Sequence, residues 1–215
     1  TFGVDGSGVL VGIISDGVDS LAISQSTGDL PDSVLIGDAG DGDEGTAILE
    51  IVHDIAPGAN LAFHAGLSSL EFIAALDFFT ENGVDVIIDD IGFLTEPTFQ
   101  DGSVATRAGE AVEDGIVFIS AGGNDAHRHY QGVYLDIDPE DPDNNIHDFG
   151  ARAGEESDGG MTFQLPAGGR SVIILHWSNP YGDVTDEYDL YLLDSATLDI
   201  IDVGNGIGGD IPVKV

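Results

Sequence analysis

Hydrophobic and polar positions along the first half of the chain follow two periods in turn. Val9-Leu10-Val11-Gly12-Ile13-Ile14 is an apolar run that ends in the turn Ser15-Asp16-Gly17, and it predicts a strand buried on both faces. From about Asp19 to Gly42 the chain is rich in Ser, Asp and Gly and reads as a polar loop, with one short apolar piece at residues 33–37. Asp43-Glu44-Gly45-Thr46 then opens a helix. Its apolar residues Ala47, Ile48, Ile51, Val52 and Ile55 recur on one helical face, and Pro57-Gly58 stops it. Residues 60–65 predict a short strand. Ser68 with Glu71 three residues on fits a capping box, so a helix follows, carrying Phe72, Ile73, Ala75, Leu76 and Phe79 and ending at Asn82-Gly83. Residues 84–88 predict a strand running into Asp89-Asp90. A helix over about 104–114 is closed by Gly115, and 116–120 predict another buried strand leading into Ala121-Gly122-Gly123-Asn124. This alternation argues for an α/β fold, a parallel sheet with helices on both faces.

The pattern changes after Asp125. Residues 136–145 are acidic and carry prolines, which marks a loop or linker. Beyond about Ser157 come short candidate strands at 161–165, 171–177 and 188–193, separated by turn signals. They suggest a partial antiparallel β-sandwich. The organisation expected is an α/β half over 1–130, an acidic linker over 131–156 and a partial sandwich over 157–215.

Charge narrows the partners. Lys and Arg total 5 against 40 Asp and Glu, a formal charge of -35 over 215 residues. Nucleic acid binds through a basic surface that this chain lacks, and an anionic membrane is disfavoured for the same reason. No apolar run approaches the ~20 residues of a membrane span. The acidity suits a surface solvated in salty water, calcium-binding loops or attraction of basic substrates. There is no cysteine, which excludes disulfides and thiolate metal sites. Asp136, Asp138, Glu140 and Asp143 offer oxygens of the kind calcium takes, without the EF-hand pattern, so a structural calcium here stands beside a solvated loop as the alternative.

Asp16, Asp90 and Asn124 fall at or just past the carboxyl ends of predicted parallel strands, and Glu44 starts a helix. Groups so placed converge on one rim of an open parallel sheet, where ligands bind. Each also has an ordinary structural reading, because Asp and Asn form turns and Glu favours helix starts.

These segments together resemble the subtilase family of serine peptidases, the subtilisin and sedolisin clan. Residues 8–19, ending Ser15-Asp16-Gly17-Val18-Asp19, resemble the segment of the catalytic aspartate. Glu44-Gly45-Thr46-Ala47, with Ala56-Pro57-Gly58-Ala59 at the helix end, resembles the His-Gly-Thr segment. Residues 85–92 occupy the place of the substrate-binding strand, and residues 117–124 resemble the segment ending in the oxyanion-hole asparagine. The resemblance covers residues 1 to about 130. It implies a serine-type endopeptidase acting on polypeptides, with Asp16, Glu44 and Asp90 catalytic, Asn124 in the oxyanion hole and Ile91, Gly92, Gly122 and Gly123 against the substrate. No cofactor is needed for the chemistry. The resemblance also implies an extracellular or cell-envelope location.

The departures from the family are specific. Glu44 replaces the usual histidine, and Ile48 stands where sedolisins carry a second carboxylate one turn later. Asp90 falls where subtilisins usually have serine, and it can supply that carboxylate. No Gly-Thr-Ser occurs in the 215 residues. The resemblance therefore implies that the chain stops inside an inserted β-sandwich, that the nucleophile lies elsewhere, and that this chain is inactive alone. In the implied mechanism Glu44 acts as base with Asp16 or Asp90 sharing its proton, and the pH optimum is acidic to neutral. A pseudoenzyme or a calcium- or peptide-binding module is the alternative. A carboxylate-pair glycosidase fits poorly, because the single tryptophan, Trp177, lies outside this half.

Overall fold

The computed structural model describes residues 3–125, 127–143, 145–150, 156–207 and 210–215. The chain divides into two compact units, Thr1–Gly123 and Asn124–Val215.

In the first unit, β1 (Leu10–Ser15), β2 (Val34–Ile36), β3 (Asn60–Ala65), β4 (Val86–Asp89) and β5 (Val117–Ser120) form one sheet in the order β2-β3-β1-β4-β5. Every pairing is parallel. The helices are α1 (Leu21–Thr27), α2 (Glu44–Ile55), α3 (Ser69–Glu81) and α4 (Ser103–Glu113). The architecture is thus α/β, as the alternation of periods predicts. β1 is central, and all its residues from Val11 to Ser15 are buried.

Side-chain alternation along the strands sorts the core into two clusters. Ile14, Ala62 and Ile87 pack with Phe72, Ala75, Leu76 and Phe79 of α3 and Ala111 of α4. Val11, Ile13, Leu61 and Phe63 pack on the other face with Leu49, Ile48 and Val52 of α2. Helices therefore cover both faces. The α3 start is a full capping box: Ser68 Oγ accepts from the Glu71 N–H at 3.3 Å, and Glu71 Oε2 accepts from the Ser68 N–H at 2.9 Å.

Three expectations are corrected. The polar stretch after Asp16 contains α1, whose left-handed C-cap is Gly28 at φ 88°. Its sequence LAISQST has too few apolar positions to announce a helix. On α2 the fully buried apolar side chain is Leu49, beside buried Thr46, while Ile51 and Ile55 are 58% and 77% exposed. A five-member apolar set is wider than the stripe one sheet can cover, and the N-terminal anchoring of α2 fixes which part turns inward. β5 is an edge strand, with Val117 and Ile119 about half exposed, because α2 covers the sheet over β1 and β3 and does not extend to β5.

The second unit has shorter elements. β6 (Leu175–His176) pairs antiparallel with β9 (Val213–Lys214), and β7 (Tyr191–Leu193) pairs antiparallel with β8 (Ile200–Val203). The expected strand at 161–165 is not a strand, and 171–177 and 188–193 supply only two and three residues each. These are small antiparallel ribbons. Tyr191, Ile200 and Ile201 are more than half exposed, so no apolar face builds a second layer on β7 and β8. Rings take the place of an aliphatic core: His147 lies 4.6 Å from Phe149 and 5.6 Å from Tyr134, and Tyr188 lies 5.4 Å from Tyr134 and 5.5 Å from Trp177. Asp148 joins the turns, accepting from the Gly150 and Asp158 N–H groups and the Ser157 hydroxyl at 2.8–2.9 Å.

The rotated face of α2 is directly testable. Leu49→Ala is expected to cost about 2–5 kcal/mol and Ile51→Ala less than ~0.5–1 kcal/mol, read from urea unfolding midpoints. Equal costs would show that the helix is seated by the face the periodicity suggests.

Candidate functional site

The C-terminal end of β1 lies at a point where the chain leaves the sheet on opposite faces: the helix preceding β3 packs on one side and the helix following it on the other. Such a point opens a crevice outside the strand ends. Asp16 sits there, half-buried.

Its carboxylate holds the start of α2. The residue preceding that helix, Asp43, makes no cap to it; the Asp43 carboxylate turns to Ser20 instead, accepting from its N–H at 2.8 Å and its hydroxyl at 2.6 Å. The Ser20 hydroxyl is the main reason that the Asp43 pKa lies below the ordinary carboxylate value. The free N–H groups of the first turn go to Asp16 Oδ1, which accepts from Glu44 at 2.9 Å and Gly45 at 3.2 Å, as well as from Gly17. A helix start offers unpaired N–H groups and a positive dipole end, and a carboxylate satisfies both. Two glycines permit the approach. A Cβ on Gly45 would stand 2.6 Å from the Gly17 carbonyl oxygen, and one on Gly42, at φ 132°, would run into Asp16 Oδ2.

Asp90 joins the site from β4. Ile14 is in register with Asp89, so the next pair is Ser15 with Asp90, and the Ser15 hydroxyl donates to Asp90 Oδ2 at 3.1 Å. Burial pushes the Asp90 pKa up; the Ser15 bond pulls it down, and the negative charge of Asp16 raises it again. The structure thus brings together Asp16, Asp90 and the Glu44 backbone. The Glu44 residue is exposed.

The remaining expected residues are placed as follows. Ile91 packs against the cluster shared with α3 and α4. Gly92 follows β4, and Gly122 and Gly123 follow its neighbour β5. All three are exposed, and a Cβ at any of them would meet nothing within 4 Å. Asn124 opens the second unit. Asp136, Asp138, Glu140 and Asp143 do not gather: Asp136 Oδ1 accepts from the Asp138 N–H, Asp138 Oδ1 from the Glu140 N–H, and the Asp143 N–H donates to Asp141. These are turn-forming bonds. Among the described residues no three acidic or histidine side chains are grouped as a metal ion would require.

One residue escaped the sequence reading. Asp89 is 3% exposed and points away from Asp90, toward the α3 and α4 side. Its Oδ1 accepts from the Ile91 N–H at 3.3 Å, while Oδ2 is buried with no hydrogen-bond partner. Burial lifts its pKa to about 6; Ser120 and the Ile91 N–H pull down, and Asp90 adds a small upward push. The signal was present: two consecutive aspartates at a strand end face opposite sides of a sheet, so one of them must enter the layer beneath.

No family model matches this chain, and no curated protein sequence matches it. No helix among the described residues is long and apolar enough to cross a membrane.

Two stability measurements check this geometry. Asp16→Ala is expected to destabilise the first unit by about 1–3 kcal/mol, because three backbone N–H groups, two of them part-buried, lose their acceptor. Asp89→Asn is expected to stabilise it. A carboxyl whose folded pKa is raised from 3.8 to about 6 is protonated when folded but ionised when unfolded between those values. Stability is therefore lost as pH rises through that window. The gain from Asp89→Asn, on the order of 1–3 kcal/mol, should be complete above about pH 6 and vanish below about pH 4. A destabilised Asp89→Asn protein at pH 7 would contradict this assignment.

Proposed function

We propose that the first unit is the N-terminal part of a subtilase-type serine endopeptidase domain in which Glu44 stands in the place of the catalytic histidine. The observation that carries the reading is the Asp16 carboxylate seated on the first-turn N–H groups of Glu44 and Gly45, at 2.9 and 3.2 Å. It joins the two segments that the family's catalytic aspartate and base occupy, and it does so at the carboxyl end of the central strand. The charge coupling between Asp16 and Asp90 supplies a second carboxylate at the same rim.

In this reading Glu44 takes the proton of a serine hydroxyl as general base. Asp16 orients it by fixing the helix start from which it projects. Asp90, held protonated more readily by burial and by the charge of Asp16, shares the proton. The open backbone at Gly92, Gly122 and Gly123 lies on the tails of neighbouring parallel strands, where an extended polypeptide can pair. Asn124, the first residue of the second unit, is the one the family resemblance assigns to the oxyanion hole. The 215 residues contain no Gly-Thr-Ser, so this reading assigns no nucleophile among them.

The test is hydrolysis of casein by this chain expressed together with whatever its gene encodes after Val215. Activity is expected at acidic to neutral pH, falling by roughly 10²–10⁴-fold in Glu44→Gln. The 215-residue chain alone should show no turnover above its Glu44→Ala variant. Full activity in Glu44→Gln, or a gene without a serine-bearing segment after Val215, would sink the reading.

A further inference from the structure

A cavity of about 230 Å³ opens at the carboxyl ends of β4 and β5, on the face opposite Asp90. Phe72 of α3, Val104 and Ala108 of α4, and Phe93 and Phe118 form its walls. Phe72 and Phe93 meet edge to face at 5.4 Å, so this wall is rigid and apolar. The polar groups facing the space are Asp89, Ser120 and Glu96. Glu96 Oε1 accepts from the Ser69 hydroxyl at 3.0 Å. Asp89 is only 3% exposed; its Oδ2 makes no hydrogen bond, and the neighbouring Ser120 hydroxyl favours the ionised carboxyl without offsetting its burial.

We propose that this cavity binds an aliphatic cation, an alkyl guanidinium or alkylammonium group such as the side chain of arginine or lysine, with Asp89 as its acceptor.

Three observations carry this. A buried carboxylate oxygen without a hydrogen bond costs stability unless something pairs with it. The two ionisable side chains lining the space, Asp89 and Glu96, are both acidic, so the chain provides no internal counter-charge there. The nearest candidate on α4, Arg107, is already engaged with Asp77 at 2.7 Å and with the Thr80 hydroxyl at 3.0 Å. Aromatic and aliphatic walls suit a methylene stem with a charged end. The volume lies below the ~300–1,000 Å³ of sites for larger ligands, so a nucleotide or an oligosaccharide does not fit. Burial is the main cause of the raised proton affinity of Asp89, and the Ser120 and Ile91 hydrogen bonds do not cancel it. That the cation belongs to a peptide rests on the peptidase reading above; that the cavity selects a cation does not.

The experiment titrates the 215-residue chain with n-butylguanidinium and, separately, with n-butylurea, its neutral isostere, following amide shifts by NMR. Butylguanidinium is expected to shift Asp89, Ile91, Ser120 and the start of α4 saturably, and to bind at least about tenfold more tightly than butylurea. Asp89→Asn should reduce that binding by about tenfold or more while the protein stays folded, and Glu96→Gln by a smaller factor. Equal binding of the urea, no saturation up to about 50 mM, or unchanged affinity in Asp89→Asn would each overturn the proposal. No hydrolysis is measured, so a failed peptidase assay leaves this result standing, and the reverse.

Discussion

One carboxylate organises the first unit. α2 begins where its own capping residue is engaged elsewhere, so its first-turn N–H groups depend on an acceptor 28 residues earlier in the chain. Asp16 supplies it from the end of the central strand. The consequence is geometric as well as energetic: the helix start cannot move relative to β1 without losing those bonds. The rotation of α2 follows, with Leu49 inward against Phe63 and Ile51 outward. Gly42 and Gly45 are tied to the same contact, since a side chain at either position would occupy the space of Asp16, Gly17 or Phe63.

The end of β4 places two identical residues in opposite environments. Asp90 faces the crevice, bonded to Ser15 and within reach of the charge on Asp16. Asp89, one residue earlier, enters the layer between the sheet and α3 and α4. Burial dominates both shifts, and the deeper residue shows the larger one. A strand end that separates two carboxyls in this way can serve two tasks from one short segment: charge coupling on one face and recognition on the other. Neither burial aids folding, which is the sense in which such groups point to a function.

Much of the first unit was legible because its signals are local. The two-faced apolar run of β1, the capping box of Ser68 and Glu71 and the stop at Pro57-Gly58 each act within a few residues, and the structure keeps all three. α1 was not legible, because seven residues with little apolar character form a helix only when their neighbours hold them. The exposure of β5 was not legible either; a strand at a sheet edge and one at its centre share an apolar sequence, and only the order of strands separates them. In the second unit the ring cluster around His147 draws on residues from Tyr130 to Phe149, and a neighbouring pair joins Tyr188 to Trp177; no periodicity links such positions.

By itself the sequence determined the alternation of strand and helix, the parallel α/β architecture, the acidic character and the candidates Asp16, Glu44, Asp90 and Asn124. Those follow from side-chain period, turn chemistry and charge, which are properties of short segments. The tertiary structure alone decided that Asp16 bonds the α2 backbone, that Ser15 meets Asp90, and that Asp89 is buried against a cavity walled by Phe72, Phe93 and Phe118. Each of these depends on strand register and helix placement, and those are fixed by contacts between segments 28 to 75 residues apart.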